Sequence, residues 1–301
     1  MYSLFFLNGS TLHYIKTVLL SLRYTVTMNP AKDLQKIANR LRGDVLEMVV
    51  VAGAGHIAGP LSSAEIFAEL YFGEQVDLAK DKIVLSCGHY CPVLYSALAR
   101  SGKMPVTELK TFMKDGSRLP GHPERGLTPG VEASSGPLGQ GVSVATGMAL
   151  GLKMKYGYLS QAETPRVYCV LSDGEIQEGQ VWEAFNFGVR RQLDNLIFIL
   201  DRNRIQIENY VSQLATYTVL AGRFEGFGLN VLEVNGNKLS ELQKSIRTAT
   251  SMQGVPVIIV ANTVAGKGVS FMENKPEWHD RVPTAEELSS ALAELGGQDD
   301  K

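Results

Sequence analysis

Apolar residues follow two patterns along this chain, one typical of buried strands and one typical of helices. Short apolar runs predict strands at residues 82–86, 167–172, 196–200, 231–234 and 256–263. The stretches around those runs predict helices at residues 31–51, 62–70, 92–100, 139–157, 178–192 and 240–251. Strands that alternate with helices are typical of a parallel sheet covered on both faces. We therefore expect an α/β fold of this type.

Two other stretches complete this prediction. Residues 102–135 are rich in Gly and Pro and are expected to be mostly loop. Thr284 and Glu287 match a capping box, in which each residue satisfies a backbone N–H of the other, so a last helix is predicted to begin there.

The first 27 residues do not fit this alternation. Polar residues such as Asn8, Lys16 and Arg23 interrupt their apolar patches, so no apolar run approaches the roughly 20 residues of a membrane span. The stretch also lacks the charged start and continuous apolar core of a signal peptide. We interpret residues 1–27 as an uncertain N-terminal extension, with a packed helix as the alternative, and expect residues 28–301 to form a single domain.

Composition narrows the class of protein. The 29 Lys and Arg residues nearly balance the 31 Asp and Glu residues, giving a net charge of -2 and no basic field for nucleic acid. The three cysteines are too few for a disulfide framework, which favours a reducing compartment. We expect a cytoplasmic protein that binds neither nucleic acid nor membrane.

Two polar side chains follow neighbouring apolar runs. Asp173 comes directly after the run at 167–172, and Asn203 comes shortly after the run at 196–200. Because parallel strands present their carboxyl ends at one edge of the sheet, these side chains can converge there. Carboxylate and amide oxygens suit Mg²⁺ or Ca²⁺, and Gly174 would let a diphosphate approach the backbone. The alternative is that both residues only form turns.

Several segments resemble motifs of the transketolase family of thiamine-diphosphate enzymes, in the amino-terminal part that binds the cofactor diphosphate. They are "AGAGHIAGPLS" (52–62), "LSCGHYCPVLYSALA" (85–99), "LPGHPE" (119–124), "SSGPLGQGVS" (134–143), "SDGEIQEGQVWEA" (172–184), "LDRNRIQIEN" (200–209) and "GKGVSFMENKPEWHD" (266–280). The likeness runs from about residue 31 to residue 283, with the motifs in the order that the family shows.

The resemblance implies roles for residues of the acidic motifs. Asp173, Asn203 and the backbone carbonyl of Ile205 would ligate the divalent metal, while Gly174 and Glu175 would bind the cofactor. In the family, the glutamate matching Glu178 faces the opposite subunit, where it joins a carboxylate network between two active sites. The alternative for Glu178 is a helix-start carboxylate favoured by the helix dipole.

The resemblance also implies roles for residues of the other motifs. In the family, the histidines matching His56, His122 and His279 touch the sugar hydroxyls or the diphosphate, and the one matching His89 lies by the cofactor. Imidazoles suit both tasks, since they exchange hydrogen bonds and protons near neutral pH. Gly136 and Leu138 would pack against thiamine diphosphate.

Three residues depart from the family motifs. Ser172 replaces the first glycine of the Gly-Asp-Gly signature, Ile57 replaces the proline after His56, and Asn209 replaces a glycine after the Ile-x-Ile stretch. Asn tolerates a positive φ better than most residues, so we expect the turn at Asn209 to survive. The Ile57 change makes the shape of its loop less predictable.

The resemblance implies a shared active site. In the family, the glutamate that activates the cofactor lies in a second, pyrimidine-binding domain, for which we find no counterpart here. We therefore expect an N-terminal transketolase subunit that transfers a two-carbon ketol unit between sugar phosphates, in the pentose phosphate pathway, within an α2β2 assembly with a C-terminal chain. The alternatives are a subunit of a deoxyxylulose-phosphate synthase or a 2-oxo-acid dehydrogenase, and a non-catalytic interaction subunit.

Overall fold

Seven strands are present in the structure, a computed structural model that describes residues 30–157, 164–207, 209–214 and 220–296. They are β1 (Lys82–Leu85), β2 (Val167–Ser172), β3 (Leu196–Arg202), β4 (Ile205–Gln206), β5 (Asn209–Tyr210), β6 (Asn230–Asn235) and β7 (Val257–Asn262). Strands β4 and β5 form a small antiparallel hairpin, and the other strands form one sheet in the order β1-β2-β3-β7-β6, with every pairing parallel. The extension predicted at residues 1–27 lies outside the described residues.

The strands of the main sheet lie where the apolar runs predicted them. Every residue of β2 is buried, as are six of the seven residues of β3. Their pairing is in register from Val167 with Leu196 to Ser172 with Asp201, so both strands end at the same level. The residues that follow these two strands therefore emerge side by side at one edge.

Helices cover the sheet. They are α1 (Pro30–Ala52), α2 (Ala58–Ser62), α3 (Ala64–Phe72), α4 (Cys91–Arg100), α5 (Gln140–Tyr156), α6 (Gly179–Arg190), α7 (Val211–Leu214), α8 (Leu220–Gly226), α9 (Leu239–Ser251) and α10 (Ala285–Glu294). The capping box is confirmed, because the Glu287 N–H donates to the Thr284 side chain at 3.2 Å and the Glu287 carboxylate accepts from the Thr284 N–H at 2.9 Å.

Some elements differ from the sequence prediction. The helix predicted to run through Leu70 is α3, with Ser63 as its N-cap residue, but the short helix α2 that ends at Ser62 was not predicted. Helices α7 and α8 and the β4–β5 hairpin were not predicted, since each is too short to show a periodic pattern. The stretch 102–135 is loop except for a 3-10 helix at Val106–Thr111.

Alternate residues of each central strand face opposite sides of the sheet. Tyr168 and Val170 of β2 belong to one apolar cluster, together with residues of α1, α3, α4 and α9. Cys169 and Leu171 belong to a second cluster, together with residues of α5, α6 and α8. Burying an apolar side chain in such a cluster stabilises the fold by about 1.5–3 kcal/mol. The predicted class, a parallel sheet with helices on both faces, is confirmed.

Within the described ranges, no helix has both the length and the apolar character that crossing a bilayer requires.

Candidate active site

Asp173 lies at the carboxyl end of β2, next to the end of β3 that precedes Asn203. Its side chain is 3% exposed. One carboxylate oxygen, Oδ2, accepts a hydrogen bond from the Arg204 N–H at 2.7 Å. The other oxygen, Oδ1, is buried without a hydrogen-bond partner among the described residues. An oxygen in that state costs about 1–3 kcal/mol, so this edge of the sheet has an unsatisfied acceptor.

Asn203 presents its amide oxygen in a defined direction. Its Nδ2 group donates to the Ser62 hydroxyl at 3.2 Å, the Tyr90 hydroxyl at 2.8 Å and the Asp201 carboxylate at 2.9 Å. Its Oδ1 accepts from the Ile205 N–H at 3.0 Å and keeps a second lone pair. The amide oxygen is therefore oriented away from the three acceptors.

Asp201, the last but one residue of β3, was not among the predicted site residues. Its side chain is fully buried. The carboxylate accepts hydrogen bonds from Ser62 Oγ at 2.6 Å, Tyr90 OH at 2.9 Å and Thr263 Oγ1 at 2.5 Å, besides the bond from Asn203. The position of Asp201, two residues before Asn203, is the feature of the sequence that could have indicated its role. We call Asp173, Asp201 and Asn203 the cation floor.

The cation floor fits a divalent metal ion. Burial, and then the nearby charge of Asp201, raises the pKa of Asp173 to about 8. A buried carboxylate with a free oxygen, beside an oriented amide oxygen, is a hard-oxygen donor set suited to Mg²⁺ or Ca²⁺. The described chain contains no cluster of three or more His, Cys, Asp or Glu residues that would hold a metal. The predicted metal site would not form such a cluster, because Asp173 is its only residue of these four types and its other ligands are the Asn203 amide and the Ile205 backbone carbonyl.

A cavity of about 240 Å³ opens at the same edge of the sheet. It is lined by nine of the predicted site residues: His56, His89, His122, Gly136, Leu138, Gly174, Glu175, Ile205 and His279. A larger groove of about 730 Å³, between α1, α4 and α10, contains none of them. The structure therefore brings segments from across the chain to one place.

Three imidazole rings form one side of this cavity, which we call the histidine wall: His56, His89 and His279. The ring centroid of His56 lies 4.9 Å from that of His89 and 5.1 Å from that of His279. Burial is the main cause that lowers the pKa of His56 to about 4 and of His89 to about 2, with the other histidines adding to the effect. Burial also lowers the pKa of His279. The wall is therefore uncharged at neutral pH.

Backbone hydrogen bonds join the segments that carry the wall. The Ile57 N–H donates to the His279 carbonyl at 3.0 Å, and the Gly266 N–H donates to the Ala58 carbonyl at 2.9 Å. Ile57 itself is fully buried and has a φ of -123°. A proline, which the family motif has at this position, offers no N–H and prefers a φ near −65°. Having Ile57 in place of the family's proline thus permits a hydrogen bond between the segments that carry His56 and His279.

Glu175 lines the cavity, but its side chain is fully buried and joins three segments of the chain. Its Oε1 accepts from the Ser86 hydroxyl at 2.5 Å and from the Gly139 N–H at 2.7 Å. Burial raises its pKa to about 7, against the lowering effect of these bonds. Gly139 has a φ of +84°, which favours glycine, and it follows Leu138 as the N-cap residue of α5. Glu175 therefore positions the loop that carries Leu138.

The β4–β5 hairpin forms another edge of the cavity. Gln206 pairs with Asn209, so Asn209 lies in a strand of the hairpin, and the positive φ in the adjoining turn, 52°, is at Ile207. Ile207 lines the cavity and is 63% exposed. Ser172, the remaining departure, is accommodated because its hydroxyl accepts from the Glu175 N–H at 3.4 Å.

Glu178 lies outside the lining of the cavity. It precedes α6 as its N-cap residue, is exposed, and makes no capping hydrogen bond with its side chain. Its Cβ would be 3.1 Å from a Cβ added at Gly139, so it lies next to the loop that begins α5. Its predicted contact with another subunit stays a prediction.

Comparison of this chain with known proteins identifies its family. Residues 33–301 match the family described as "Transketolase, thiamine diphosphate binding domain". The chain belongs to the transketolase family. The resemblance inferred from the sequence motifs is thereby confirmed.

Two relatives in the transketolase family are subunits of similar length. The chain is 38% identical over 271 residues to "6-deoxy-6-sulfo-D-fructose transketolase subunit SqwG" of a Clostridium species, covering 87% of this chain and 96% of that one. It is 35% identical over 282 residues to a subunit of apulose-4-phosphate transketolase from Actinobacillus succinogenes, covering 89% of this chain and 99% of that one.

The fold is also that of solved transketolases. The structure of transketolase from Campylobacter jejuni superimposes with a TM-score of 0.82 at 34% sequence identity. The match covers 90% of this chain and 43% of that chain. This chain therefore spans less than half the length of the solved transketolase that it matches.

Proposed function

We propose that this chain is the cofactor-binding subunit of a two-chain transketolase, which transfers a two-carbon ketol unit from a ketose to an aldose. The observation that carries the proposal is the unpartnered Oδ1 of Asp173 beside the oriented amide of Asn203, at the edge of a cavity walled by uncharged histidines. That combination suits a metal-bound diphosphate with a polyol next to it.

The residues of this chain would hold and orient the reactants. Asp173, Asn203 and the Ile205 carbonyl would hold Mg²⁺ or Ca²⁺, and Gly174 would admit the diphosphate close to the backbone. When bound, thiamine diphosphate supplies the carbon nucleophile and the electron sink for moving the ketol unit. The side chain of Leu138 would exclude water from that reactive group.

The histidine wall would bind the sugar. A neutral imidazole both donates and accepts a hydrogen bond, which suits the hydroxyl groups of a sugar. His56 and His89 remain neutral at physiological pH because burial holds their pKa values at about 4 and about 2. Exposed His122, on the same cavity, would contact the sugar or the diphosphate in the same manner.

The acidic group of the sugar would be bound by another chain. Among the described residues that line the cavity, none is Lys or Arg. The two relatives are named for substrates with different anions, a sulfonate and a phosphate. We therefore assign recognition of that anion to the partner, and expect sugar phosphates as substrates here.

The partner would be a C-terminal chain that carries the pyrimidine-binding domain. This inference is supported by the word "subunit" in the names of both relatives and by the 43% coverage of the solved transketolase. An α2β2 assembly would place Glu178, exposed near the start of α5, against another subunit. The cytoplasmic location and the role in the pentose phosphate pathway stay predictions from the sequence.

Reconstitution tests the proposal. The full chain is purified alone and together with a chain that carries the pyrimidine-binding domain. Ketol transfer is then assayed with a panel of ketose phosphates, with and without thiamine diphosphate and Mg²⁺. We expect activity only from the pair, and only with both additions. Full turnover by this chain alone would contradict the two-chain assignment, and an assembled pair that binds the cofactor without turnover would favour a non-catalytic subunit.

A further inference from the structure

We propose that Asp201 is a positioning residue that sets the orientation of Asn203 and strengthens the hold of the cation floor on its divalent metal. The inference deepens the proposed function and rests on it, since it concerns the same cation. Asp201 would not itself touch the metal. It would act through the amide of Asn203 and through its own charge.

The first observation is the set of donors around Asp201. Ser62 ends α2, Tyr90 belongs to a 3-10 helix, Thr263 follows β7 and Asn203 follows β3. All four direct a hydrogen bond to this one carboxylate, at 2.5–2.9 Å. Four separate segments of the chain therefore meet at a fully buried side chain.

The second observation is that this network allows one orientation of the Asn203 amide. The hydroxyl proton of Tyr90 is directed to Asp201, and that of Ser62 to Asp201 or to the Gly59 carbonyl, neither of which can donate. A flipped amide would direct its oxygen at the Asp201 carboxylate and at two oxygens whose protons are already used. The amide nitrogen must therefore face Asp201, and the oxygen must face the opposite way.

The third observation is electrostatic. Asp201 accepts a hydrogen bond from Asn203 and Asp173 accepts one from the adjacent Arg204 N–H, so two buried carboxylates lie beside the same short segment. Two negative charges in a region of low dielectric attract a divalent cation more strongly than one does. Removing the charge of Asp201 therefore weakens the cation site even where Asp173 and Asn203 stay in place. Partners that orient a metal ligand typically change metal affinity by about 10–100-fold when they are replaced.

Asp44 provides a matched control, because it is also a buried carboxylate but lies elsewhere. It is 5% exposed and accepts hydrogen bonds from Ser96 at 2.5 Å and from Arg100 at 2.6 Å. It lines the groove beside α1 and α4 and none of the cofactor cavity. Asp44→Asn therefore shows the effect of losing a buried carboxylate that has only a structural role.

The experiment compares the Mg²⁺ requirement for cofactor binding in the assembled two-chain protein. Calorimetry measures the affinity for thiamine diphosphate at increasing MgCl₂ for the unmodified protein, Asp201→Asn and Asp44→Asn. We expect Asp201→Asn to need about 10–100-fold more Mg²⁺ for half-maximal binding. Saturating MgCl₂ should then restore the affinity for thiamine diphosphate. Asp44→Asn should lower the melting temperature and leave the Mg²⁺ midpoint where it was.

Other results would overturn the inference. A folded Asp201→Asn protein with an unchanged Mg²⁺ midpoint would show that Asp201 only stabilises the fold. Should Asp201→Asn not fold, Ser62→Ala removes one donor to Asp201 and one acceptor from Asn203. An unchanged midpoint in that variant would overturn the inference equally. Failure of the unmodified pair to bind thiamine diphosphate with Mg²⁺ would instead contradict the proposed function.

Discussion

The cation floor and the histidine wall border the same site but are held in place differently. The floor follows two adjacent central strands, whose register pairs Ser172 with Asp201. The wall consists of side chains from three connecting segments, with His89 in the 3-10 helix Gly88–Tyr90, and His56 and His279 are separated by most of the chain. The floor is therefore positioned by the sheet, and the wall by hydrogen bonds between loops, such as that from Ile57 to the His279 carbonyl.

Burial favours the neutral form of the titratable groups in both regions. Burial raises the pKa of Asp173 to about 8 in the floor and lowers the pKa of His56 to about 4 in the wall. Both shifts have the same cause, which is that a charged group loses its hydration when it is buried. Without a metal the carboxyl of Asp173 therefore favours its protonated form, and a divalent cation would have to displace that proton, whereas the wall functions as a set of neutral hydrogen-bonding groups. Variants of Asp173, His89 and Ile57 separate these roles.

Asp173→Ala should have the largest effect, on the floor. It removes the only carboxylate expected to touch the metal, so we expect the affinity of the assembled protein for thiamine diphosphate to fall by more than about 100-fold, beyond the effect of an indirect ligand partner. Isothermal calorimetry at fixed MgCl₂ measures this loss. Asp115→Ala, at an exposed position, is the control and should bind as before. An unchanged affinity in Asp173→Ala would remove the metal assignment.

The stability of the chain should depend on pH in opposite directions through the floor and through the wall. Asp173 has a folded-state pKa of about 8, above its ordinary 3.8, so in the cation-free chain its contribution to stability is lost as pH rises between these values. His89 has a folded-state pKa of about 2, below its ordinary 6.5, so its contribution is lost as pH falls below 6.5. The melting temperature should therefore decline on both sides of an intermediate pH.

A single substitution should reduce the decline in melting temperature on either the alkaline or the acid side. Asp173→Asn should reduce the decline toward pH 8, leaving the part due to Glu175, whose pKa is about 7. His89→Gln should reduce the decline on the acid side. Thermal unfolding of the cation-free chain from about pH 5 to about pH 8.5, a range chosen to bracket these shifts, measures both. Profiles that run parallel to that of the unmodified chain would contradict the assignment.

Ile57→Pro should have the smallest effect, on the wall. Proline removes the N–H that bonds to the His279 carbonyl and does not fit the φ of -123°, so we expect a loss of about 1–3 kcal/mol in the free energy of unfolding. The KM for the ketose should rise severalfold in the assembled protein, because His56 and His279 are less well aligned. Thermal unfolding and steady-state kinetics measure the two effects.

Ile57→Val is the matched control, because it keeps the N–H. It should cost only about 0.5–1.5 kcal/mol, through the lost methylene group, and leave the KM unchanged. Equal KM values in the two variants would show that the bond between the loops does not align the wall.

Much of the floor was predictable from the sequence, for a physical reason. An apolar run that ends on a polar residue marks the carboxyl end of a buried strand, and parallel strands present such ends at one edge. Asp173 and Asn203 were found in this way, before any comparison. Asp201 was not, because its chain position resembles that of any strand residue and its importance lies in partners from three distant segments.

The wall was predictable only through the family motifs. Nothing in the spacing of His56, His89 and His279 shows that their rings lie about 5 Å apart, because loop conformations bring them together. The same limit applies to the hairpin. Asn209 was expected to take the positive φ of the turn, but it lies in β5, and a positive φ occurs at Ile207 among the described residues of this segment. A local sequence pattern does not reveal the pairing of Gln206 with Asn209.

The unpartnered oxygen of Asp173 links the abundance of this protein to its supply of small molecules. A species that binds only the folded chain and removes that energetic cost shifts the folding equilibrium by mass action. When the ion or the vitamin-derived diphosphate is scarce, a larger fraction of chains is open at any moment, and open chains are the ones that proteases degrade. We expect the steady-state amount in a cell to fall with thiamine starvation, with no change in synthesis.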